Sequence, residues 1–271
     1  MLVAGIDSGS ETTKVVILED SKVAAEALIL TGAIVKVAAE KAMQMALLQV
    51  KKHMNELDYI ISTGYGRHAI PFANKAITEI TCHAKGAHCR IPAARTIIDI
   101  GGQDSKVIKL NEAGNVVDFA MNDKCAAGTG RFLEVMAEVL ETKIDNFGGL
   151  SLESKSPCSI SSTCTVFAET EVISLRAEGR GREDLAAGLH RAAASRIITM
   201  GGGKRTLQKE IIITGGVAKN IGMKKALEDI VETEIIVPPG AQLIGALGAA
   251  LIAKERVAKN WTAPLCLDRK S

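Results

Sequence analysis

The sequence predicts an α/β protein made of two duplicated α/β halves with a cleft between them. The stretch "IDSGSETTKVVIL" (residues 6–18) aligns without gaps on "IDIGGQDSKVIKL" (98–110), with six identities over 13 positions at a spacing of 92 residues, the mark of an internal duplication. Each copy reads as an apolar strand ending in Asp, a turn of Gly and small polar residues, and a second strand. Strand and helix patterns then alternate, and "EIIITGG" (210–216) reads as a buried strand running into a Gly-Gly turn.

In chain order, a third strand follows each hairpin, over 22–29 and over 116–120 after the turn "NEAGN". The Ala, Met and Leu spacing predicts one helix over 33–53, and "LDYIISTGYG" returns the chain to a strand. "CHAKGAHC" (82–89) reads as a helix. Its two Cys and two His invite a zinc site, but Cys82 and Cys89 share one face while His83 projects about 100° away, so tetrahedral closure is awkward and a packed helix is favoured. Helices are expected over 131–142, 166–177 and 184–200, with another beginning near Ala218 and a last one over 241–258 after "EIIVPPG". The expected division is 1–93 plus 247–271 for the first half and 94–246 for the second.

A chain of 271 residues suits about two domains with a core in each. The net charge is +2 and 3% of residues are aromatic, which argues against a nucleic-acid partner. The N-terminus starts on a strand-like run with no basic n-region, so no secretory signal is read. Residues 235–253 carry no charge, but Pro238, Pro239 and Gly240 interrupt them, and what remains is too short to cross a bilayer. A cytoplasmic protein is expected. There the six cysteines (82, 89, 125, 158, 164 and 266) are poor candidates for structural disulfides.

The duplicated turns point to a nucleoside triphosphate. Backbone N–H groups in Gly/Ser/Thr turns cradle phosphate oxygens, Lys14 suits a phosphate, and Asp7 and Asp99 suit Mg²⁺. No GxxxxGK[ST] occurs and no GxGxxG follows a strand, so neither the P-loop nor the dinucleotide fingerprint applies.

"IDSGSETTK", "DIGGQDSK", "TGGVAKN" and "PPGAQLIGALGAAL" resemble the phosphate-1, phosphate-2, adenosine and connecting segments of the actin/Hsp70/sugar-kinase ATPase superfamily. "NDKCAAGTGRFLE", "SSTC" and "STGYGR" are similar to one branch of it: the ATP-dependent activators of (R)-2-hydroxyacyl-CoA dehydratases, relatives of the ATPase subunits of benzoyl-CoA reductases. The resemblance spans nearly the whole chain. It implies an actin-like ATPase fold and ATP bound by Ser10, Glu11, Thr12, Thr13 and Lys14 on one side. Gly101, Gly102 and Gln103 would bind from the other side, with Gly215, Gly216 and Gln242 near the adenosine. Asp7 and Asp99 would hold Mg²⁺ through water, and Gln103 or Asp104 would orient the attacking water.

It further implies a homodimer bridged by one [4Fe–4S] cluster. Such a cluster needs four thiolates, and the two family-matching cysteines, Cys125 and Cys164, supply four when a two-fold axis brings two chains together. A ferredoxin or flavodoxin would reduce the cluster. ATP-driven closure would then pass one electron to the dehydratase, in the radical chemistry of anaerobic amino-acid fermentation. Position agrees from the residues alone: Cys125 precedes a helix expected near Gly130, and Cys164 follows the N-cap-rich run "SISST", so both thiolates are expected at helix N-termini. Cys158 is the alternative ligand in the same run, with Cys266 less favoured. Competing readings are a benzoyl-CoA-type reductase subunit, a small-molecule kinase of the superfamily, for which no sugar-pocket aspartate is found, and a non-redox switch module.

Overall fold

A computed structural model describes residues 1–161 and 164–262, the side chains of 259–262 excepted. The strands are β1 (Leu2–Ser8), β2 (Thr12–Glu19), β3 (Lys22–Leu30), β4 (Tyr59–Thr63), β5 (Lys75–Ala76), β6 (Thr96–Ile100), β7 (Ser105–Leu110), β8 (Val116–Asn122), β9 (Ile211–Thr214) and β10 (Ile235–Ile236). The helices are α1 (Val35–Val50), α2 (Glu79–Arg90), α3 (Gly130–Val139), α4 (Ile144–Leu152), α5 (Thr165–Ala177), α6 (Arg182–Met200), α7 (Ile221–Val231) and α8 (Ile244–Thr262). Two compact units result. Met1–Gly86 and the described residues from Gly245 onward form the first, and Ala87–Ile244 the second.

Each unit is built on a five-stranded mixed sheet, ordered β3-β2-β1-β4-β5 in the first and β10-β9-β6-β7-β8 in the second. Read from the hairpin outward the two orders are the same: an antiparallel meander on one side of the leading strand and parallel strands on the other. The duplication reaches a detail that no identity count records. The meander register slips between Ile17 and Leu18 in one unit and between Lys109 and Leu110 in the other, positions that are aligned in sequence. A β-bulge is thus kept in both copies, where it twists the outer strand.

The leading strands are buried throughout, because helices and neighbouring strands cover both faces. In the first unit the core gathers Ile6, Val15 and Ile17 of the sheet with Ala39, Ala42, Met43 and Ala46 of α1. Helix α8 lies close on β1 because small residues face each other. A Cβ at Gly5 would strike the Ala246 carbonyl and the Ala250 amide, and one at Gly248 would strike the Cys82 carbonyl of α2. Gly248→Val is therefore expected to prevent stable folding, beyond the roughly 1–3 kcal/mol of ordinary overpacking, since backbone rather than a flexible side chain must give way. Soluble yield and thermal unfolding of the variant would check this.

In the second unit α6 is the central helix, burying Leu185, Leu189, Ala193 and Ile197 against β7, α3, α4 and α7. His190 of α6 is buried, its ring 4.6 Å from that of Phe147, with Nδ1 2.7 Å from the Ala186 carbonyl oxygen and Nε2 3.1 Å from Asn220 Oδ1. Burial holds its pKa below the ordinary 6.5, outweighing the two hydrogen bonds. The unfolded chain then takes up the proton more readily than the folded one, so the contribution of His190 to stability is complete above pH 6.5 and is lost as the pH falls below it. Unfolding temperature should drop between pH 7 and 5, and His190→Gln should flatten that slope.

Differences from the sequence expectation have local causes. The first long helix stops at Val50 because Lys51 takes a left-handed conformation (φ 54°) whose N–H caps the Leu47 and Leu48 carbonyls. Helix α4 is unforeseen. No helix starts at Ala218: Gly216–Lys219 form a 3₁₀ turn, and α7 begins after Asn220, whose Oδ1 accepts from the Met223 amide at 2.9 Å. The expected helix over 241–258 opens with the 3₁₀ turn Ala241–Leu243 before α8. None of the helices among the described residues is long and apolar enough to cross a membrane.

Candidate active site

In the first unit the hairpin turn projects beyond β1 and β2, closed by the Gly9 amide donating to the Thr12 carbonyl at 3.0 Å. Asp7 faces Lys14 across the ladder, with Nζ 3.7 Å from Oδ2. Ser10, Glu11, Thr12 and Lys14 keep solvent access, but Thr13 is fully buried. Its hydroxyl lies 3.0 Å from that of Ser8 and 2.9 Å from that of Thr31, which in turn donates to the Gly9 carbonyl at 2.9 Å. The Thr13 side chain is therefore engaged in the frame that stiffens the turn.

The "STGYGR" segment wraps the end of β1. Gly64 has φ +85°, and a Cβ there would strike Asp7 Oδ1, while the Gly66 amide donates to the Ser8 carbonyl at 2.8 Å. Arg67 locks the wrap, its Nη1 donating to the Gly64 carbonyl at 3.0 Å and to Glu79 Oε2 of α2 at 2.9 Å. His83 of α2 is buried beside Asp7: a Cβ at Gly245 would lie 2.6 Å from Asp7 Oδ2 and 2.9 Å from His83 Cε1. Gly64 and Gly245 thus pack closely on the two oxygens of Asp7, and any larger residue at either position would displace the carboxylate. Elsewhere on α2, Cys82 is buried and its thiol is pushed up to about 12 by that burial, whereas Cys89 in the last turn is exposed.

The second unit repeats the Asp–Lys pair and tightens it. Asp99 faces Lys106, whose Nζ lies 3.3 Å from Asp99 Oδ2 and 2.7 Å from Asp104 Oδ2, and Thr214 donates to Asp99 Oδ1 at 2.8 Å. Asp104 is thus held as an ion-pair partner, while Gln103 sits exposed at the tip of the turn. Gly215, at φ +84°, packs so closely that a Cβ would strike the Ile100 carbonyl and come within 3.1 Å of Asp99 Oδ1. Gln242 Nε2 lies 3.3 Å from the corresponding point at Gly216. Asp99, Gly101, Gly215, Gly216 and Gln242 are therefore brought together. Lys106, Thr214 and His83 were given no part in this chemistry by sequence reasoning. Lys106 was visible as the duplicate of Lys14, but Thr214 and His83 join only through the parallel strand pairing and through α8.

Cys125 is half-buried in the loop between β8 and α3. Asn122 shapes that loop, its Nδ2 donating to the Cys125 and Ala127 carbonyls (2.7 and 3.2 Å) and its Oδ1 accepting from the Cys125 amide (3.2 Å). The expectation that Cys125 sits at a helix N-terminus needs correction. Thr129 is the N-cap of α3, and the first α3 amides are already engaged: Gly130 donates to the Gly101 carbonyl at 2.9 Å and Arg131 to the Gly102 carbonyl at 2.8 Å. The helix start is joined to the phosphate-type turn instead. Cys164 is exposed and is itself the N-cap residue of α5, its carbonyl accepting from the Ala168 amide at 2.8 Å. Cys158 packs on α6, its amide donating to the Asp184 carbonyl at 3.0 Å and its thiol pushed up by burial. Cys266 lies outside the described residues. Among them no three His, Cys, Asp or Glu side chains gather as a metal site.

Two sheets of one topology, each led by a strand–Asp–turn–strand hairpin with a facing lysine, define an ATPase of the actin-like fold. The model of the BadF/BadG/BcrA/BcrD ATPase family matches residues 4–253, and the chain belongs to that family. It is 48% identical over 266 residues to the activator of lactoyl-CoA dehydratase from Anaerotignum propionicum, covering 96% of this chain and 100% of that one. Component A of the (R)-2-hydroxyglutaryl-CoA dehydratase of Acidaminococcus fermentans superposes with a TM-score of 0.90 at 42% identity, over 95% of this chain and 99% of the other. The activator of the 2-hydroxyisocaproyl-CoA dehydratase from Clostridium difficile, with bound ADPNP, gives 0.89 at 43% identity over 96% and 97%.

Proposed function

We propose that this chain is the ATP-hydrolysing activator of a 2-hydroxyacyl-CoA dehydratase and delivers single electrons to it. The observation that carries the reading is likeness over nearly the full length of both chains to proteins named as such activators, joined to the solvent access of Cys125 in its loop and of Cys164 at the N-cap of α5, both in one unit. ATP would be taken by Ser10, Glu11, Thr12 and Lys14 at the first turn and by Gly101, Gly102 and Gln103 at the second, with Gly215, Gly216 and Gln242 at the adenosine. Asp7 and Asp99 would hold Mg²⁺ through water, as hard carboxylate oxygens suit that ion. Because Lys106 ties Asp104 down, the orienting of the attacking water falls to Gln103.

Cys125 and Cys164 would hold a [4Fe–4S] cluster together with the same pair from a second copy. One chain offers two suitable thiols, and a four-thiolate cluster needs four. Val166 and Phe167, 66% and 67% exposed two and three residues after Cys164, give a second copy apolar surface to cover. The α5 N-terminus at Cys164 favours an anionic ligand. Bound there, the cluster would supply low-potential one-electron storage, refilled by a ferredoxin or flavodoxin.

The test is anaerobic purification with iron analysis and EPR of the dithionite-reduced protein. About four irons per dimer are expected, with loss of the signal and of dehydratase activation in Cys125→Ser while ATP still binds. Activation surviving in Cys125→Ser would sink the electron-transfer reading and leave an ATP-driven switch.

A further inference from the structure

Apart from the residues assigned to the nucleotide and from Cys125 and Cys164, the second unit holds a cavity of about 970 Å³ between α6, the end of β8 and the segment 157–161, with Cys158 in its wall. Its volume is at the upper end of the range for small-molecule sites, roughly 300–1,000 Å³. Three cations line it, Lys124 from the Cys125 loop and Arg191 and Arg196 from α6, against the one carboxylate of Asp123. Among the described residues none of the three cations has an ion pair or a side-chain hydrogen bond. The stem of Arg196 passes under the loop, its Cδ 3.8 Å from where a Cβ of Gly128 would stand. Ser159, Ser195 and Thr199 add hydroxyl donors, while the Ser161 hydroxyl is given to Glu171 Oε1 at 2.9 Å.

Gathering like charges around a concavity is unfavourable unless an anion completes it, and a walled cleft focuses their field on whatever enters. Arginine forks and hydroxyls match the oxygens of a phosphate group. None of the residues assigned to ATP lines the cavity. We infer that it is a second ligand site, for a small phosphate-bearing molecule, distinct from the nucleotide site.

Its position gives such a ligand something to act on. Asn122, which shapes the Cys125 loop, forms part of the wall, and so does the segment 157–161 that leads toward Cys164. An occupant drawing Lys124 toward Arg191 and Arg196 would fasten the Cys125 loop to α6. This consequence rests on the role proposed for the cysteines, but the binding does not.

The probe is inorganic pyrophosphate, titrated calorimetrically into the full chain already saturated with ADP. One pyrophosphate per chain is expected, with an affinity that weakens as salt is raised. The double variant Arg191→Gln/Arg196→Gln should bind pyrophosphate at least about tenfold more weakly with ADP affinity and basal ATP turnover unchanged, and Lys124→Gln should weaken it independently. Absence of binding in the presence of ADP, or equal binding by the double variant, overturns the proposal. So does a result in which the arginines matter only for an acidic protein partner and not for pyrophosphate. Neither the cluster nor the dehydratase is needed, so failure here is separable from failure of the proposed function.

Discussion

Lys106→Met should cost the protein stability, and Lys14→Met should cost it ATP turnover, although the two lysines are aligned copies of one position. Lys106 is 3% exposed and stands between Asp99 and Asp104, at 3.3 and 2.7 Å. Removing it takes away the cation that the buried carboxylate of Asp99 shares with Asp104, a loss of about 3–5 kcal/mol for a broken buried pair. For a protein of this size that lowers the unfolding temperature by roughly 10 °C. Lys14 makes one longer contact, 3.7 Å to Asp7, and its Nζ lies 3.4 Å from where a Cβ of Gly9 would stand. It is poised over the turn rather than locked under it. Loss of a cation that stabilises charge on a transferring phosphoryl group costs about 10²–10³ in turnover, and the unfolding temperature should barely move. Thermal unfolding and ATPase assays on both variants decide the matter. Equal destabilisation, or full turnover in Lys14→Met, would mean that the two halves do not divide the work.

That asymmetry marks where sequence reading ends. The hairpins were legible because strand, turn and Asp–Lys pair are all local, and the 92-residue repeat carried them into both sheets. Of the partners that make the two copies differ, Asp104 is local, two residues from Lys106 where the first copy has Thr12, but Thr214 is not: it reaches Asp99 only through the β6/β9 pairing. Helix α4 carries two adjacent glycines, Gly148 and Gly149, which weaken its helical signal in the sequence. Gly148 is required because a Cβ there would strike Asn220 Oδ1, the cap of α7. The cysteines were found by motif, but their settings differ in a way no motif states: one is a helix cap, the other is held in a loop by Asn122.

On the proposed nucleotide site, the hydrogen bonds from α3 to the second hairpin turn would give the nucleotide a path to Cys125 that a bulky side chain at Gly130 should cut. The Gly130 and Arg131 amides donate to the Gly101 and Gly102 carbonyls, so any shift of that turn on binding phosphate pulls on the start of α3, five residues after Cys125. The contact is close: a Cβ on Gly130 would lie 3.0 Å from the Gly101 oxygen, 3.3 Å from Gly102 Cα and 3.4 Å from Val217 Cγ2. Gly130→Val forces the turn and the helix apart, and Gly130→Ala does so by a few tenths of an ångström. In metal-free protein, the alkylation rate of Cys125, followed peptide by peptide, is expected to change several-fold on adding ATP, in keeping with a coupling of about 1–3 kcal/mol between two sites. In Gly130→Val that response should vanish, and in Gly130→Ala it should shrink, while ATP still binds. Lys14→Met provides the contrast, because it weakens ATP yet leaves the α3 contacts intact, so saturating nucleotide should restore the response. A Cys125 rate that follows ATP unchanged in Gly130→Val would show that the signal travels by another route, with α5 and Cys164 the next place to look.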